Sequence, residues 1–200
     1  LNPEKFKIIT RRNGLDLVLN SLYKAIESTI ESIKLNIVAL RGFNDDELMD
    51  FVDLTKENDI TVRFIELMPF DSHQIWKTGK FYGADHIVAD IKNQVDELNP
   101  IDGSRTEHHI FRVNDYKGKV AVIPAYSRSL CGACNRIRIT ADGKLLNCLY
   151  SQDETNLRDA MRMGKTDMMI KKMIYGTMKK KFKDGWEAQN QGNDNRESMT

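Results

Sequence analysis

Residues 131–148 read Cys131-Gly-Ala-Cys134-Asn-Arg136-Ile-Arg138-Ile-Thr140-Ala-Asp-Gly143-Lys-Leu-Leu-Asn-Cys148 and hold all three cysteines of the chain. Polar and apolar side chains alternate over 136–140, as in a half-buried strand. Ala-Asp-Gly at 141–143 predicts a turn, followed by a return strand over 144–149. With a three-residue turn, Cys148 faces Arg136, unless a bulge shifts the register by one residue. The stretch therefore predicts a β-hairpin with Cys134, Cys148, Arg136 and Arg138 on one face.

Three clustered thiols beside two guanidinium groups indicate a soft-metal site next to an anion site. Thiolates suit iron–sulfur clusters or zinc, and a closed site of either kind normally takes four protein ligands. Either a fourth ligand comes from elsewhere, with His108 and His109 as the nearest candidates, or one coordination position is open to a substrate. A zinc-binding structural or interaction module without catalysis is the alternative, as are cysteines that are simply buried. The spacing alone does not choose the metal.

The composition is typical of a soluble protein of one or two domains. The chain has 200 residues, 40% of them hydrophobic and 30% charged, with a net charge of +1. The overall composition and net charge therefore favour neither nucleic-acid binding nor membrane association. The sequence contains no apolar run of transmembrane length and no signal peptide. An RNA-binding hairpin is a weak alternative because exposed aromatic residues for base stacking are missing. An odd number of clustered cysteines predicts a reducing compartment, the mitochondrial matrix or the cytoplasm, and not secretion.

The first third of the chain predicts an α/β arrangement. Residues 1–14 are polar, with a loop predicted at 11–14, and apolar spacing predicts a helix over 15–33. Strands are predicted at 35–40 and 61–67, separated by a helix to about Glu57 that Asn44 caps with Glu47 as its capping-box partner. Two strands do not make a stable parallel sheet, so we expect further strands before Leu1 and an exposed apolar edge along both strands.

The pattern changes after residue 71. We predict a helix over 85–98, which Pro100 prevents from continuing. We also predict strands at 109–113 and 119–123 and a short helix capped by Asn156. Thr166 is predicted to cap a longer helix, from Asp167 to about Lys181, whose apolar residues lie on one side, and we interpret its methionines as core packing. The lysines at 179–181 are typical of a solvated helix end.

Two separated blocks of the sequence resemble one enzyme family. The block Lys34-Leu-Asn-Ile-Val-Ala-Leu-Arg-Gly-Phe-Asn-Asp-Asp-Glu47, with Val62-Arg-Phe-Ile-Glu-Leu-Met-Pro69, resembles the later barrel strands of the MoaA-type GTP 3′,8-cyclases. Residues 131–148 resemble the C-terminal cluster motif of that family. The resemblance extends from Lys5 to about Lys181. The sequences of the quoted blocks are most similar to those of the animal enzymes of this family.

This resemblance implies a radical S-adenosylmethionine enzyme, a lyase of molybdenum cofactor biosynthesis. Its reaction converts GTP to 3′,8-cyclo-7,8-dihydro-GTP. In the family, an N-terminal 4Fe-4S cluster cleaves S-adenosylmethionine to a deoxyadenosyl radical. A second 4Fe-4S cluster, held by three cysteines, has an open iron that binds the guanine of GTP.

Position by position, the resemblance implies a role for seven residues. They are Cys131, Cys134 and Cys148 as ligands of the second cluster, Arg136 and Arg138 as phosphate-binding residues, Lys34 as a GTP contact and Met68 as an S-adenosylmethionine contact. We add Arg63 as a GTP-binding candidate, because strand alternation should direct it to an inward face; a structural ion pair is its alternative.

The resemblance also implies the domain organisation. Residues 1–70 would be the C-terminal βα units of an incomplete radical-SAM (βα)6 barrel, 71–184 a mixed α+β iron–sulfur domain, and 185–200 a polar tail. The chain lacks both the CxxxCxxC motif that initiates the radical and the family's terminal Gly-Gly. We therefore expect a C-terminal part that does not turn over alone and whose partner is the N-terminal barrel half. A homodimer is a further candidate assembly.

Overall fold

The computed structural model describes residues 1–67, 79–102, 109–125, 127, 134, 136–149, 151, 153–183 and 187. Contacts divide the chain into two compact units, Leu1–Ser127 and Arg128–Thr200. The first unit contains α1 (Pro3–Thr10), α2 (Leu15–Ile26), β1 (Lys34–Ala39), a 3-10 turn (Asp45–Glu47), α3 (Leu48–Asp53), β2 (Thr61–Glu66), α4 (Ala84–Lys92), β3 (Leu98–Ile101), β4 (His109–Val113) and β5 (Lys119–Ile123). The second unit contains β6 (Arg138–Ile139), β7 (Lys144–Leu146), β8 (Thr155–Asn156), α5 (Leu157–Arg162) and α6 (Asp167–Lys179).

The first unit is built on a five-stranded mixed sheet in the order β1-β2-β5-β4-β3. β2 pairs in parallel with both β1 and β5, whereas β3, β4 and β5 are antiparallel. The α/β class is therefore confirmed. The expectation that Thr61–Leu67 forms an exposed edge is wrong, because β5 pairs with β2 on the side away from β1. Among the described strands, β1 is the one of the two that lies at an edge of the sheet. The sheet continues across the expected domain boundary at residue 70, since β2 precedes that residue and β5 follows it. The origin of residues 1–70 in a barrel stays a prediction.

Helices α3 and α4 cover one face of this sheet. The residues of β2 alternate, so that Val62 and Phe64 are fully buried while Arg63 and Ile65 are half-buried. Val62 and Phe64 share one hydrophobic core with residues of the two helices, namely Leu48, Val52, Ile87 and Ile91. Burying each such side chain contributes about 1.5–3 kcal/mol. The core therefore fixes which face of β1 and β2 is turned away from the helices.

The predicted loop at 11–14 is confirmed, but the polar residues before it form a helix, α1, that was not predicted. Asn2 caps α1, since its side chain accepts hydrogen bonds from the backbone N–H groups of Glu4 and Lys5, and Pro3 occupies the first helical turn. The predicted helix over 15–33 ends at Ile26. The α1 helix is therefore an addition to the prediction, whereas the correction to α2 concerns only the residue at which that helix ends.

The predicted capping box of Asn44 and Glu47 is also wrong. The Asn44 side chain instead accepts from the N–H of Leu40 at 2.8 Å and donates to the carbonyl of Val38 at 3.0 Å. Glu47 accepts from the backbone N–H of Asn2 at 2.5 Å. Asn44 thus fixes the chain at the end of β1, because it bonds the strand that precedes it and not the helix that follows.

The predicted helix over 85–98 is shorter than expected, and a turn and a strand follow it. α4 stops at Lys92, and Leu98–Ile101 forms β3 at the edge of the sheet. Pro100 lies within β3, where its missing N–H is tolerated because an edge strand has a ladder on one side only.

The second unit has a three-stranded sheet, β6-β7-β8, and two helices whose predicted caps are confirmed. The side chain of Asn156 accepts from the N–H of Asp159, and that of Thr166 accepts from the N–H of Met169. The predicted core packing of the methionines on α6 is wrong for Met169 and Met178, whereas Met173 is half-buried. Met169 is 51% and Met178 47% exposed. Within the described residues, no helix has the length and hydrophobicity of a membrane span.

Candidate functional site

The predicted register of the cysteine hairpin is confirmed in its paired segment. Arg138 pairs with Leu146 and Ile139 with Leu145, and the N–H of Thr140 donates to the carbonyl of Lys144 at 2.9 Å. The turn therefore holds the three residues 141–143, and the register of the paired strands is the predicted one. Gly143 closes it at a φ of 78°, and a Cβ there would overlap the Cβ of Arg158. The strands are shorter than predicted, since Arg136 and Ile137 lie outside β6.

The turn is also held by a side-chain hydrogen bond. The hydroxyl of Thr140 donates to Asp142 Oδ1 at 2.5 Å, and the Lys144 ammonium lies 3.4 Å from Asp142 Oδ2. The hydrogen bond from Thr140, followed by that from Lys144, holds the pKa of Asp142 below its usual value despite an opposing contribution from desolvation. The hairpin thus has its own polar support at the end away from the cysteines.

Two of the three predicted cysteine ligands, Cys134 and Cys148, lie among the described residues as free, half-buried thiols. The ammonium of Lys181 donates to Cys134 Sγ at 3.6 Å and to the carbonyl of Arg136 at 2.9 Å. Burial raises the pKa of Cys134. The backbone N–H of Arg136 and the charge and hydrogen bond of Lys181 lower that pKa by more, so that the net shift is downward. The surroundings of Cys134 therefore favour the thiolate.

Lys181 was missed by the sequence prediction, which treated the lysines at 179–181 as a solvated helix end. In the structure the three lysines have different environments. Lys180 is exposed, the Lys179 ammonium lies over the Tyr175 ring at 4.8 Å, and Lys181 contacts Cys134. No local pattern reveals this contact, because it joins residues 47 positions apart.

The C-terminal end of α6 is tied to the hairpin through Asn147, which is 1% exposed. Its side-chain amide donates to the carbonyl of Lys180 at 2.9 Å. The hydroxyls of Thr155 and Thr177 join β8 to α6 at 2.6 Å. Because Asn147 neighbours Cys148 in sequence and Lys180 neighbours Lys181, this contact holds the helix end beside the cysteine hairpin.

Arg136 and Arg138, the predicted phosphate ligands, are both exposed. They lie in the segment that connects Cys134 to the turn, and the charge of Arg136 contributes to the lowered pKa of Cys134. Cys134 and Arg136 are therefore close in space. A common face for both arginines and both cysteines stays a prediction, because Arg136 is outside the paired strand.

Lys34 and Arg63 lie in the first unit, on the sheet face opposite the helices. Lys34 pairs with Thr61, and Arg63 pairs with Asn36 and Ala121. Arg63 Nε is buried and has no hydrogen-bond partner within the described part of the chain. A buried donor of this kind normally finds an acceptor, so Arg63 fits a ligand-binding role.

Lys119 is a further basic residue on this face, and the sequence prediction did not single it out. It pairs with Thr61 from the side opposite Lys34, so the two lysines flank Thr61 in one row. Alternation along the predicted strand 119–123 could have revealed it, since Lys119, Ala121 and Ile123 share a face.

Glu66 is a buried carboxylate that sequence reasoning also missed. It is 1% exposed; Oε1 accepts from the N–H of Ala84 at 2.7 Å, and Oε2 accepts from the N–H of Ser127 at 2.8 Å. It thereby joins the end of β2 to the start of α4 and to Ser127. A glutamate at a buried position of an alternating strand is the signal that could have identified it.

Three of the named residues, Met68, Cys131 and His108, lie outside the described residues. His109 is exposed on β4 of the first unit. Within the described part of the chain, which does not include Cys131, no group of three metal-ligating side chains forms. Two of the three predicted cluster ligands are therefore placed, and the third is not.

Comparison with known proteins gives a consistent result. The protein-family model Molybdenum Cofactor Synthesis C matches residues 60–186. The GTP 3′,8-cyclase of Chlorobaculum tepidum is 42% identical over 188 residues, which cover 94% of this chain and 57% of that protein. The mitochondrial GTP 3′,8-cyclase of Arabidopsis thaliana is 36% identical over 90% of this chain and 46% of its own length. Molybdenum cofactor biosynthesis protein 1 of Homo sapiens is 36% identical over 90% of this chain and 28% of its own length. The chain thus spans little more than half of the bacterial relative and less of the other two.

Proposed function

The chain belongs to the Molybdenum Cofactor Synthesis C family, and on that premise we propose that it supplies the GTP-binding, second-cluster half of a GTP 3′,8-cyclase. The observation that carries the proposal is the environment of Cys134. A half-buried thiol with a lowered pKa lies within reach of an ammonium and a guanidinium group, in the hairpin that also contains Cys148.

The residues present fit an iron–sulfur cluster. Cys134 and Cys148 are unbridged thiols, and the donors around Cys134 favour the thiolate that binds iron. We assign Cys131, Cys134 and Cys148 as its ligands. When bound, a 4Fe-4S cluster on three cysteines offers an open iron that can ligate the guanine base.

The cationic side chains would hold the rest of GTP. Arg136 and Arg138 are exposed guanidinium groups close to Cys134 in sequence, and guanidinium groups form strong charge-assisted bonds to phosphate oxygens. Lys34 and Arg63, on one face of the first sheet, are proposed as further GTP contacts. Fixing the base and the phosphates at separate points would orient the ribose for attack at one hydrogen.

Radical generation is assigned to the rest of a longer enzyme. Met68 is proposed as an S-adenosylmethionine contact, and the other 4Fe-4S cluster would lie in an N-terminal barrel half. Residues 1–70 would then complete that barrel, and 71–184 would form the cluster domain. The mitochondrial matrix or the cytoplasm is the proposed compartment.

The cluster is tested by anaerobic reconstitution of the chain with iron and sulfide. We expect about four irons and four sulfides per chain. Changing Cys131, Cys134 or Cys148 singly to Ser should sharply lower the iron content, whereas the matched surface change Arg162→Ala should not. A zinc module would contain no acid-labile sulfide, and full iron loading of all three serine variants would refute the ligand assignment.

The phosphate role is tested by GTP binding to the complete enzyme. Arg136→Ala and Arg138→Ala should each remove a charge-assisted contact of about 1.5–3 kcal/mol, which is roughly ten- to a hundred-fold in affinity. Iron content should be unchanged. Guanosine, which has no phosphates, should bind both variants almost as it binds the wild type. An equal loss of guanosine affinity would show that the arginines support the fold or the cluster instead.

A further inference from the structure

We propose that Lys181 is a positioning residue of the cysteine site, whose ammonium holds the Cys134 thiolate and the Arg136 carbonyl together and raises the reduction potential of the iron–sulfur cluster bound there. This inference rests on the proposed function, and it names a residue outside the cysteine motif.

The contacts of Lys181 place one cation between two functional segments. Its Nζ lies 3.6 Å from Cys134 Sγ and 2.9 Å from the carbonyl oxygen of Arg136. The thiol and the carbonyl belong to the stretch that enters the hairpin, so one ammonium fixes both the ligand and the backbone that carries Arg136. An ammonium has three donors, which suits this shared role.

The position of Lys181 is set by the end of α6 rather than by a long mobile side chain alone. Its backbone N–H donates to the carbonyl of Met178 at 3.1 Å. The preceding residue, Lys180, is held through its carbonyl by the buried amide of Asn147 at 2.9 Å. Because Asn147 adjoins Cys148, the same hairpin that provides the cysteines also positions the lysine.

A fixed cation beside a thiolate ligand has a predictable electrostatic effect. Reduction adds negative charge to an iron–sulfur cluster, and a nearby positive charge or hydrogen bond to sulfur stabilises that reduced state. Removing the ammonium should therefore lower the reduction potential. A residue that only supported the fold would change stability or iron content without a consistent shift of the potential.

The test is a redox titration of the reconstituted chain, with the reduced cluster followed by electron paramagnetic resonance. All three cysteines of the chain lie in this motif, so the signal reports this site alone. Lys181→Met and Lys181→Gln remove the charge, Lys181→Arg retains it, and Lys180→Met is the matched control because its side chain is exposed. We expect the ratio of reduced to oxidised cluster at a fixed potential to fall about tenfold in the Met and Gln variants, which corresponds to a shift of about 59 mV for one electron.

The variants separate this inference from the function on which it depends. Lys181→Arg and Lys180→Met should keep the wild-type potential. Failure of the wild-type chain to take up iron and sulfide would overturn the proposed function together with this inference. Normal loading with an unchanged potential in Lys181→Met and Lys181→Gln would overturn the role of Lys181 alone. So would an equal shift in Lys180→Met, or loss of iron from all Lys181 variants, Arg included.

Discussion

Replacing Glu66 by Gln should loosen the start of α4 and the backbone at Ser127 together. The two carboxylate oxygens of Glu66 each accept one backbone N–H, from Ala84 at 2.7 Å and from Ser127 at 2.8 Å. A glutamine keeps the size of the side chain but has only one acceptor oxygen. Its NH₂ group would face one of the two N–H donors and leave it unsatisfied in a site where the side chain is 1% exposed.

The size of the effect follows from these contacts. A hydrogen bond to a charged group contributes about 1.5–3 kcal/mol, and a buried unsatisfied donor costs about 1–3 kcal/mol. Loss of one such contact corresponds to a roughly ten- to a hundred-fold larger opening equilibrium constant for the amide concerned, and to hydrogen exchange that is faster by the same factor. The other amide keeps a neutral acceptor in place of a carboxylate and should lose less protection.

Amide hydrogen exchange measures this effect at the two positions concerned. Glu66→Gln should accelerate exchange at Ala84 and Ser127 more than at α1 or at β7. The matched control is Glu57→Gln, since the Glu57 side chain is 74% exposed and pairs only with Lys117 among the contacts described for it. Unchanged protection of both Ala84 and Ser127 in Glu66→Gln would refute the bracing role of this carboxylate.

Three further predictions concern other parts of the chain. Thr140→Val should raise the pKa of Asp142 toward its usual value near 3.8, since the Thr140 hydroxyl is the main cause of its lowering; the carboxyl resonance of Asp142, followed by NMR against pH, measures this. The stability that Asp142 gives the hairpin is present above its usual pKa and is lost as the pH falls through the lowered value. Gly118→Ala should destabilise the first unit by about 1–3 kcal/mol in urea unfolding, because the added Cβ overlaps the carbonyl oxygens of Asn58 and Ile60. Gly176→Ala on α6, which has open space around it, should instead stabilise by about 0.5–1 kcal/mol, and equal effects at both glycines would contradict this interpretation. Finally, the reconstituted chain should not release 5′-deoxyadenosine from S-adenosylmethionine under reducing conditions, and its production would refute the assignment of radical generation to an N-terminal part.

Local sequence patterns gave correct predictions where the conformation of a segment depends mainly on its own residues. The strands at 109–113 and 119–123 and the register of Thr140 opposite Lys144 agree with the prediction, because alternation and turn residues determine a hairpin over a few positions. The caps at Asn156 and Thr166 agree for the same reason. Helix ends were less predictable, as Asn44 shows by bonding backward to β1.

Contacts between distant segments were not predictable from such patterns. The pairing of β2 with β5 joins Thr61 to Lys119, and nothing in either strand specifies the other. The contact of Lys181 with Cys134 and the bonds of Glu66 to Ala84 and Ser127 are of the same kind. The apolar side of α6 was interpreted as core because its spacing is helical, yet spacing reports amphipathicity and does not identify what packs against it.

The strand order also has a consequence for the folding kinetics of the first unit. β1 and β2 are joined through α3, and β3, β4 and β5 follow one another as an antiparallel meander, so each set can form from neighbouring segments. The strands of the two sets pair with each other along the seam between β2 and β5, which closes a loop from residue 61 to residue 119. Loop closure of this length must precede any stabilising contact across the seam. The central pair of the sheet should therefore be the last to form, and until it does, both of its strands present unpaired backbone to any other chain.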